Sequence, residues 1–292
     1  MKLKKSEVIY DAVAHTYTLD GKELKGITAL IKEKLFPNEY RDVPEVVLQK
    51  AAERGHRIHT AIELFDTCDI PTEDCDELKG YIEELFLHDF IGRHMASEYV
   101  VSDNEKYASA IDKVYDDGQG GVVLADIKTT YKLDTDYVSW QLSVYAYFFR
   151  LLNPDIPVTS AYAIWLRRDK HKVVEVKLHT TDEVKALLYG DEVPQKDFGF
   201  SEMPYTESYL LHLKSLADDA ATKYEEAKQQ MLTAMQDSGL KTIKGRLLSI
   251  TRKDDCKRIS FDSKKFKADN PDMYNNYLKE SVTKGGIIIK EI

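Results

Sequence analysis

The chain has 292 residues, 43% of them hydrophobic and 31% charged, which is enough to bury one large domain with an appendage. No stretch approaches the roughly 18 apolar residues of a membrane span, and the charged start MKLKKSEVIYD lacks the apolar segment of a secretory signal, so the expected location is the cytoplasm with no membrane partner. The net charge of −9 excludes a protein that coats nucleic acid indiscriminately, but it is uneven: from Leu240 onward 13 Lys/Arg face 7 Asp/Glu, a local +6 behind a body carrying −15.

In chain order, VIYDAVAHTYTLDGKEL alternates apolar and polar residues around Asp20-Gly21 and reads as a hairpin. Helical spacing follows from about 44 to 65 and again from about 72 to 90. The period then changes to that of strands in SEYVVSDN, YASAIDKVYDD and GVVLADIKT, the last two separated by the turn-rich DDGQGG. Residues 134–152 return to helical spacing, stopped by Asn153-Pro154, and VTSAYAIWLRR with HKVVEVKLH supplies a further strand pair. The polar run 201–236 favours an exposed helix, and beyond Gly239 four short segments suggest a small strand-and-helix unit, with Phe261, Phe266, Tyr274 and Tyr277 as its expected small core. The expected organisation is a domain over 1–200, a helical connector over 201–239 and a small basic α/β domain over 240–292. Cys68, Cys75 and Cys256 have no CxxC spacing and are too few for a four-thiolate zinc or iron–sulfur site.

Chemistry concentrates at the end of VVLADIK. The run reads as a strand buried on both faces, yet it closes on Asp126 and Lys128, which as i and i+2 share one face. Folding the preceding strand back about Gly118–Gln119 makes opposed residue numbers sum to about 237–238, which sets Asp112 across from Ala125 or Asp126. Opposed carboxylates repel at Cβ separations of about 4.5–5.5 Å. A divalent cation removes that penalty, and carboxylate oxygens with the Ile127 carbonyl are ligands a hard Mg2+ accepts. The competing explanation of Asp126 and Lys128 is a plain ion pair at a half-exposed strand end. In RGHRIHTAIE, His59 and Glu63 are i, i+4 and share a helix face; in DYVSWQLSVYAYFF the same spacing relates Gln141 and Tyr145, while Trp140, Val144, Phe148 and Leu151 form a core stripe. Taken alone, the histidine and glutamine pairs are equally explained as ordinary core-edge residues.

The order GHRIH, SAID about fifty residues on, LADIKTT fourteen later and then QLSVY resembles the RecB-like branch of the PD-(D/E)XK nuclease superfamily, whose members include lambda exonuclease. The likeness covers roughly residues 50–180, and KRISFDSKKFKADNPDMYNNYLKES is similar to the C-terminal segment of YqaJ-type phage recombination nucleases. The resemblance implies an α/β (α+β) fold: a restriction-endonuclease-like core with a central mixed sheet flanked by helices, plus a small C-terminal appendage. It also implies catalytic and metal-binding roles for Asp112, Asp126 and His59, a catalytic Lys128, and Gln141 and Tyr145 holding the substrate backbone. Glu98 matches a family glutamate by position only, and Ser109 stands where the family has glycine. The implied activity is a Mg2+-dependent (or Mn2+-dependent) deoxyribonuclease without an iron–sulfur cluster. Its expected form is an exonuclease of duplex ends in phage-type recombination, partnered by DNA and a single-strand annealing protein, and able to form homo-oligomers. A catalytically silent DNA- or protein-binding module and a structure-specific endonuclease are the alternatives.

Overall fold

A computed structural model describes residues 2–11, 14–37, 39–68, 71, 74–90, 93–190, 204–253 and 260–278. They form two compact units, Met1–Thr222 and Lys223–Ile292. Among the described residues the first unit contains strands β1 (Ile9–Asp11), β2 (Thr16–Leu19), β3 (Lys22–Gly26), β4 (His94–Ser102), β5 (Tyr107–Asp116), β6 (Val122–Lys128), β7 (Val158–Arg167) and β8 (Lys170–Glu175), and helices α1 (Ile27–Leu35), α2 (Glu45–Cys68), α3 (Asp76–Leu87), α4 (Thr135–Leu152) and α5 (Thr181–Tyr189). Helix α6 (Glu207–Asp237) begins in the first unit and ends in the second.

This is a mixed α/β fold with a central mixed sheet flanked by helices. The strand order is β1-β2-β3-β5-β6-β7-β8, with β4 on the remaining edge of β5. The hairpin turn between β2 and β3 is the expected Asp20-Gly21, whose φ values of 50° and 78° are both left-handed, the requirement of the tight turn that matches strand twist. Strand β6 is central because β5 pairs it antiparallel and β7 pairs it in parallel, α4 making the crossover. Its alternate residues feed two cores. Val122 and Leu124 join α1, α4 and α5, whereas Val123, Ala125 and Ile127 join α2 and α3. That double burial explains the uninterrupted apolar run.

Helix α4 starts where Asp134 accepts hydrogen bonds from the Asp136 and Tyr137 amides at 3.0 Å each, and stops at Asn153 before Pro154. Of its expected apolar stripe, Trp140, Val144 and Phe148 are buried, but Leu151 in the last turn is exposed. Two helices went unread in the sequence. Helix α1 carries buried Ile27, Leu30, Ile31 and Leu35 at helical spacing, and α5 opens with a capping box between Thr180 and Glu183. No helix among the described residues is long and apolar enough to cross a membrane.

In the second unit β9 (Thr242–Lys244) pairs antiparallel with β10 (Ser249–Thr251), followed by α7 (Ser263–Asp269) and α8 (Pro271–Asn276). The aromatic residues expected to form a small core there do not: Phe261 is 72% exposed and Tyr277 is 84% exposed. The segments 254–259 and 279–292, with Cys256 and GGIIIKEI, lie outside the described residues.

Candidate active site

The register of β5 and β6 is the one the turn implies. Lys113↔Ala125, Val114↔Leu124, Tyr115↔Val123 and Asp116↔Val122 all sum to 238, so the next pair is Asp112 with Asp126. The ladder ends before reaching it. The Asp112 side chain instead accepts the Ile127 amide at 2.7 Å, wedging the strands apart. On the same edge of β5, β3 pairs only with Tyr107 and Ala108. Residues 109–112 therefore face a notch between two strands, lined by small Ser109 and Ala110 and closed by the two aspartates.

On the other edge of β5, Ser97↔Lys113 and Tyr99↔Ile111 make Glu98 the residue opposite Asp112. Here both strands break their alternation. Tyr99 lies against Phe149 of α4, ring centroids 5.8 Å apart, and Ile111 joins the same core. Two residues along, Ser97 and Lys113 are due the same face but turn toward α2, where Lys113 donates to Ser97 Oγ at 2.7 Å and pairs with Asp66. Glu98 absorbs the reversal with a φ of 47°, a left-handed conformation that costs a non-glycine residue about 1–2 kcal/mol. The result is three carboxylates abreast on adjacent strands, Glu98, Asp112 and Asp126.

Helix α2 presents His59, Glu63 and Asp66 on one face toward these strands. His59 Nδ1 lies 3.7 Å from Asp112 Oδ2, and one ligand atom each from His59, Glu98 and Asp112 all lie within 4.8 Å of one another. Burial, then the charges of Asp112 and Glu63, push the Glu98 carboxyl up to about 8. Burial also raises Asp112, against the pull of Lys128. Crowding lowers His59 to about 4 although its side chain keeps 28% exposure, so at neutral pH the ring is uncharged with a lone pair to offer.

Asp126 is fully buried. Its Oδ1 accepts from Gln141 Nε2 at 2.8 Å, while Lys128 Nζ sits 2.5 Å from Oδ2 without the angle of a directed hydrogen bond. Burial raises its carboxyl, with Lys128 opposing and Asp112 reinforcing. Lys128 also donates to Gln141 Oε1 at 2.9 Å, and Gln141 Nε2 reaches the Tyr145 hydroxyl at 2.7 Å.

Sequence and structure therefore agree on which residues gather and differ on what several of them touch. Asp112, Asp126, Lys128 and His59 come together, and Glu98 joins them directly. Glu63 stays exposed and reaches the cluster through its charge on Glu98. Gln141 and Tyr145, expected to hold substrate, are buried and spend their hydrogen bonds on Asp126, Lys128 and each other. Ile127 contributes its amide to Asp112. Lys113 and Tyr10 were not foreseen: Lys113 is 2% exposed behind the notch, and Tyr10, stacked on Tyr17 at 4.8 Å, is close enough for Glu98 and Asp112 to raise its pKa. The only signal for Lys113 is a lysine inside an apolar strand, and Tyr10 had none.

No protein-family model matches the chain, and no curated protein matches it in sequence. A solved structure described as the crystal structure of SSO0001 aligns with 61% of this chain and 82% of its own, at 13% identity and a TM-score of 0.29, too slight a likeness to carry an argument.

Proposed function

We propose that this chain is a Mg2+- or Mn2+-dependent deoxyribonuclease of the RecB-like PD-(D/E)XK kind, with a restriction-endonuclease-like core, acting on duplex DNA ends as an exonuclease. The observation that carries this reading is the grouping of His59, Glu98 and Asp112, whose ligand atoms all lie within 4.8 Å of one another, with Asp126 and its ion-paired Lys128 on the neighbouring strand. An ion pair accounts for Asp126 with Lys128 but not for a left-handed glutamate set against two more acids. The donor set fits a divalent ion: carboxylate oxygens suit Mg2+ and Mn2+, and an imidazole shifts the balance toward Mn2+. The raised Glu98 and Asp112 carboxyls have no Lys or Arg within ion-pair distance among the described residues and are acids a cation would compensate, whereas Asp126 already has Lys128.

When held by these residues, the cation supplies Lewis acidity for water activation and neutralises charge on phosphoryl oxygens. Asp112 is fixed by the Ile127 amide, so its carboxylate needs no reorganisation when substrate enters. Gln141 clamps Asp126 with its amide and Lys128 with its carbonyl, which sets the spacing between acid and ammonium. Lys128 is thereby placed to orient the attacking water and offset charge developing on the phosphoryl group. A phage-type recombination setting, a single-strand annealing partner and homo-oligomer formation belong to the same reading.

The test is digestion of end-labelled linear and closed circular DNA with Mg2+ or EDTA, beside Asp126→Ala and Lys128→Ala. Linear DNA alone should be lost, only with metal, and each variant should be slower by roughly 10²–10⁴-fold. Nicked circles select the endonuclease alternative. Full cleavage by both variants removes the site assignment, and DNA binding without cleavage selects the silent module.

A further inference from the structure

This inference rests on the nuclease reading and concerns how the substrate strand is held. Beside Lys128, α4, α1 and the segment after α1 contribute two contacts of lysine with tyrosine. The Lys128 ammonium lies 5.9 Å from the centroid of the Tyr137 ring, and Tyr137 packs on Phe36 with ring centroids 5.6 Å apart. Next to them is a second lysine on a second tyrosine: Lys32, in the last turn of α1, holds its ammonium 4.9 Å from the centroid of the Tyr40 ring. Burial and the charge of the neighbouring Glu39 both raise the Tyr40 hydroxyl, which stays protonated.

Among the described residues Lys32 differs from Lys25 and Lys34 in having neither an ion-pair nor a hydrogen-bond acceptor for its ammonium. Among the described residues no carboxylate lies within ion-pair distance of its ammonium. Lys25 pairs with Glu33, and Lys34 is consumed by the Leu187 and Gly190 carbonyls at 2.8 and 3.0 Å. Lys32 keeps an exposed side chain, yet desolvation near its ammonium lowers its pKa and the charge of Lys128 adds to the effect. Glu39 is the acid that feels Lys32, but it is engaged with Tyr40, and its Oε2 is buried without a hydrogen bond. A ring face holds an ammonium in place without neutralising it, which leaves the charge available to a ligand.

We propose that Lys32, propped by Tyr40, is a second phosphate-binding cation of this site, holding a phosphodiester that flanks the one beside Lys128. Tyr40 is a positioning residue and touches no reacting atom.

The experiment measures equilibrium binding of a fluorescent duplex with a short single-strand end, in EDTA, over a salt series, together with kcat and KM in Mg2+. Lys32→Gln should weaken binding on the order of tenfold and lower the slope of log affinity against log salt by about one. KM should rise with kcat nearly unchanged, and Lys32→Arg should restore both slope and KM. Tyr40→Leu should show an intermediate loss. Lys185→Gln, which removes the same charge from exposed α5, should leave the slope alone and so exclude a net-charge effect. If wild type cleaves DNA while Lys32→Gln keeps its affinity and slope, this inference falls and the nuclease reading stands. If wild type neither binds nor cleaves DNA, both fall.

Discussion

Glu98 sets the terms at the scale of single residues. Its carboxyl titrates near 8 in the folded chain against an ordinary 4.5, so between those values the native state binds the extra proton and the unfolded chain does not. Stability of the metal-free protein must therefore rise as pH falls from about 8. His59, lowered to about 4, works the other way: below its ordinary 6.5 the unfolded chain gains a proton that the native ring refuses, and stability is lost. Thermal melts in EDTA should show the melting temperature climbing from pH 8 to 6.5, with Glu98→Gln flattening the climb and saturating Mn2+ abolishing it. An unchanged slope in Glu98→Gln would mean that another group titrates. Gln141 makes a separate prediction. Since its amide and carbonyl are both committed to Asp126 and Lys128, Gln141→Met should cut kcat about 10- to 100-fold with little change in KM for DNA. A rise in KM alone would return Gln141 to substrate holding.

At the scale of elements, α2 must dock in one register for His59 to reach Asp112, and a buried ion pair sets that register. Lys113 of β5 meets Asp66 of α2, two turns along the same face from His59, and Asp66 also accepts from Tyr81 of α3 at 3.0 Å. Lys113→Met leaves a buried carboxylate unpaired and should cost about 3–5 kcal/mol in urea denaturation. Adding Asp66→Leu should recover at least half of that loss, because a buried pair replaced by apolar groups is often neutral. If the double variant is no more stable than the single one, the damage lies in lost packing rather than stranded charge. The same elements show what local sequence conveys. The β5–β6 hairpin was legible to within one residue because DDGQGG places the loop, and the structure selects the register in which opposed numbers sum to 238. The reversal at Glu98 was not, since nothing in SEYVV marks a left-handed residue.

Across the whole molecule the charge is divided between an acidic body and a basic tail. If the tail supplies backbone affinity by counterion release, deleting residues 240–292 should weaken DNA binding and flatten its salt dependence, while the Mg2+ requirement persists. The same salt slope in the truncated protein would refute that role. Within the first unit, α6 touches the body through polar contacts near the C-terminal ends of β6 and β7: Tyr131 donates to Asp218 at 2.6 Å and Arg168 pairs with Asp219 at 2.7 Å. The exposed aromatic residues of the second unit correct the expectation of a small core there. Aromatic spacing in a chain says that rings exist, not that enough neighbours surround them.

The amino-acid order alone indicated the mixture of helices and strands, a β5–β6 hairpin that brings Asp112 near Asp126, and the lysine that shares a face with the second acid. Each of these follows from periodicity and turn chemistry, which act over a few residues. Only the tertiary structure decided that Glu98 enters the cluster, that Gln141 and Tyr145 clamp side chains instead of facing a ligand, and that Lys32 stands beside Lys128. Those relations join positions from 13 to 96 residues apart, and packing, not local propensity, brings such residues into contact.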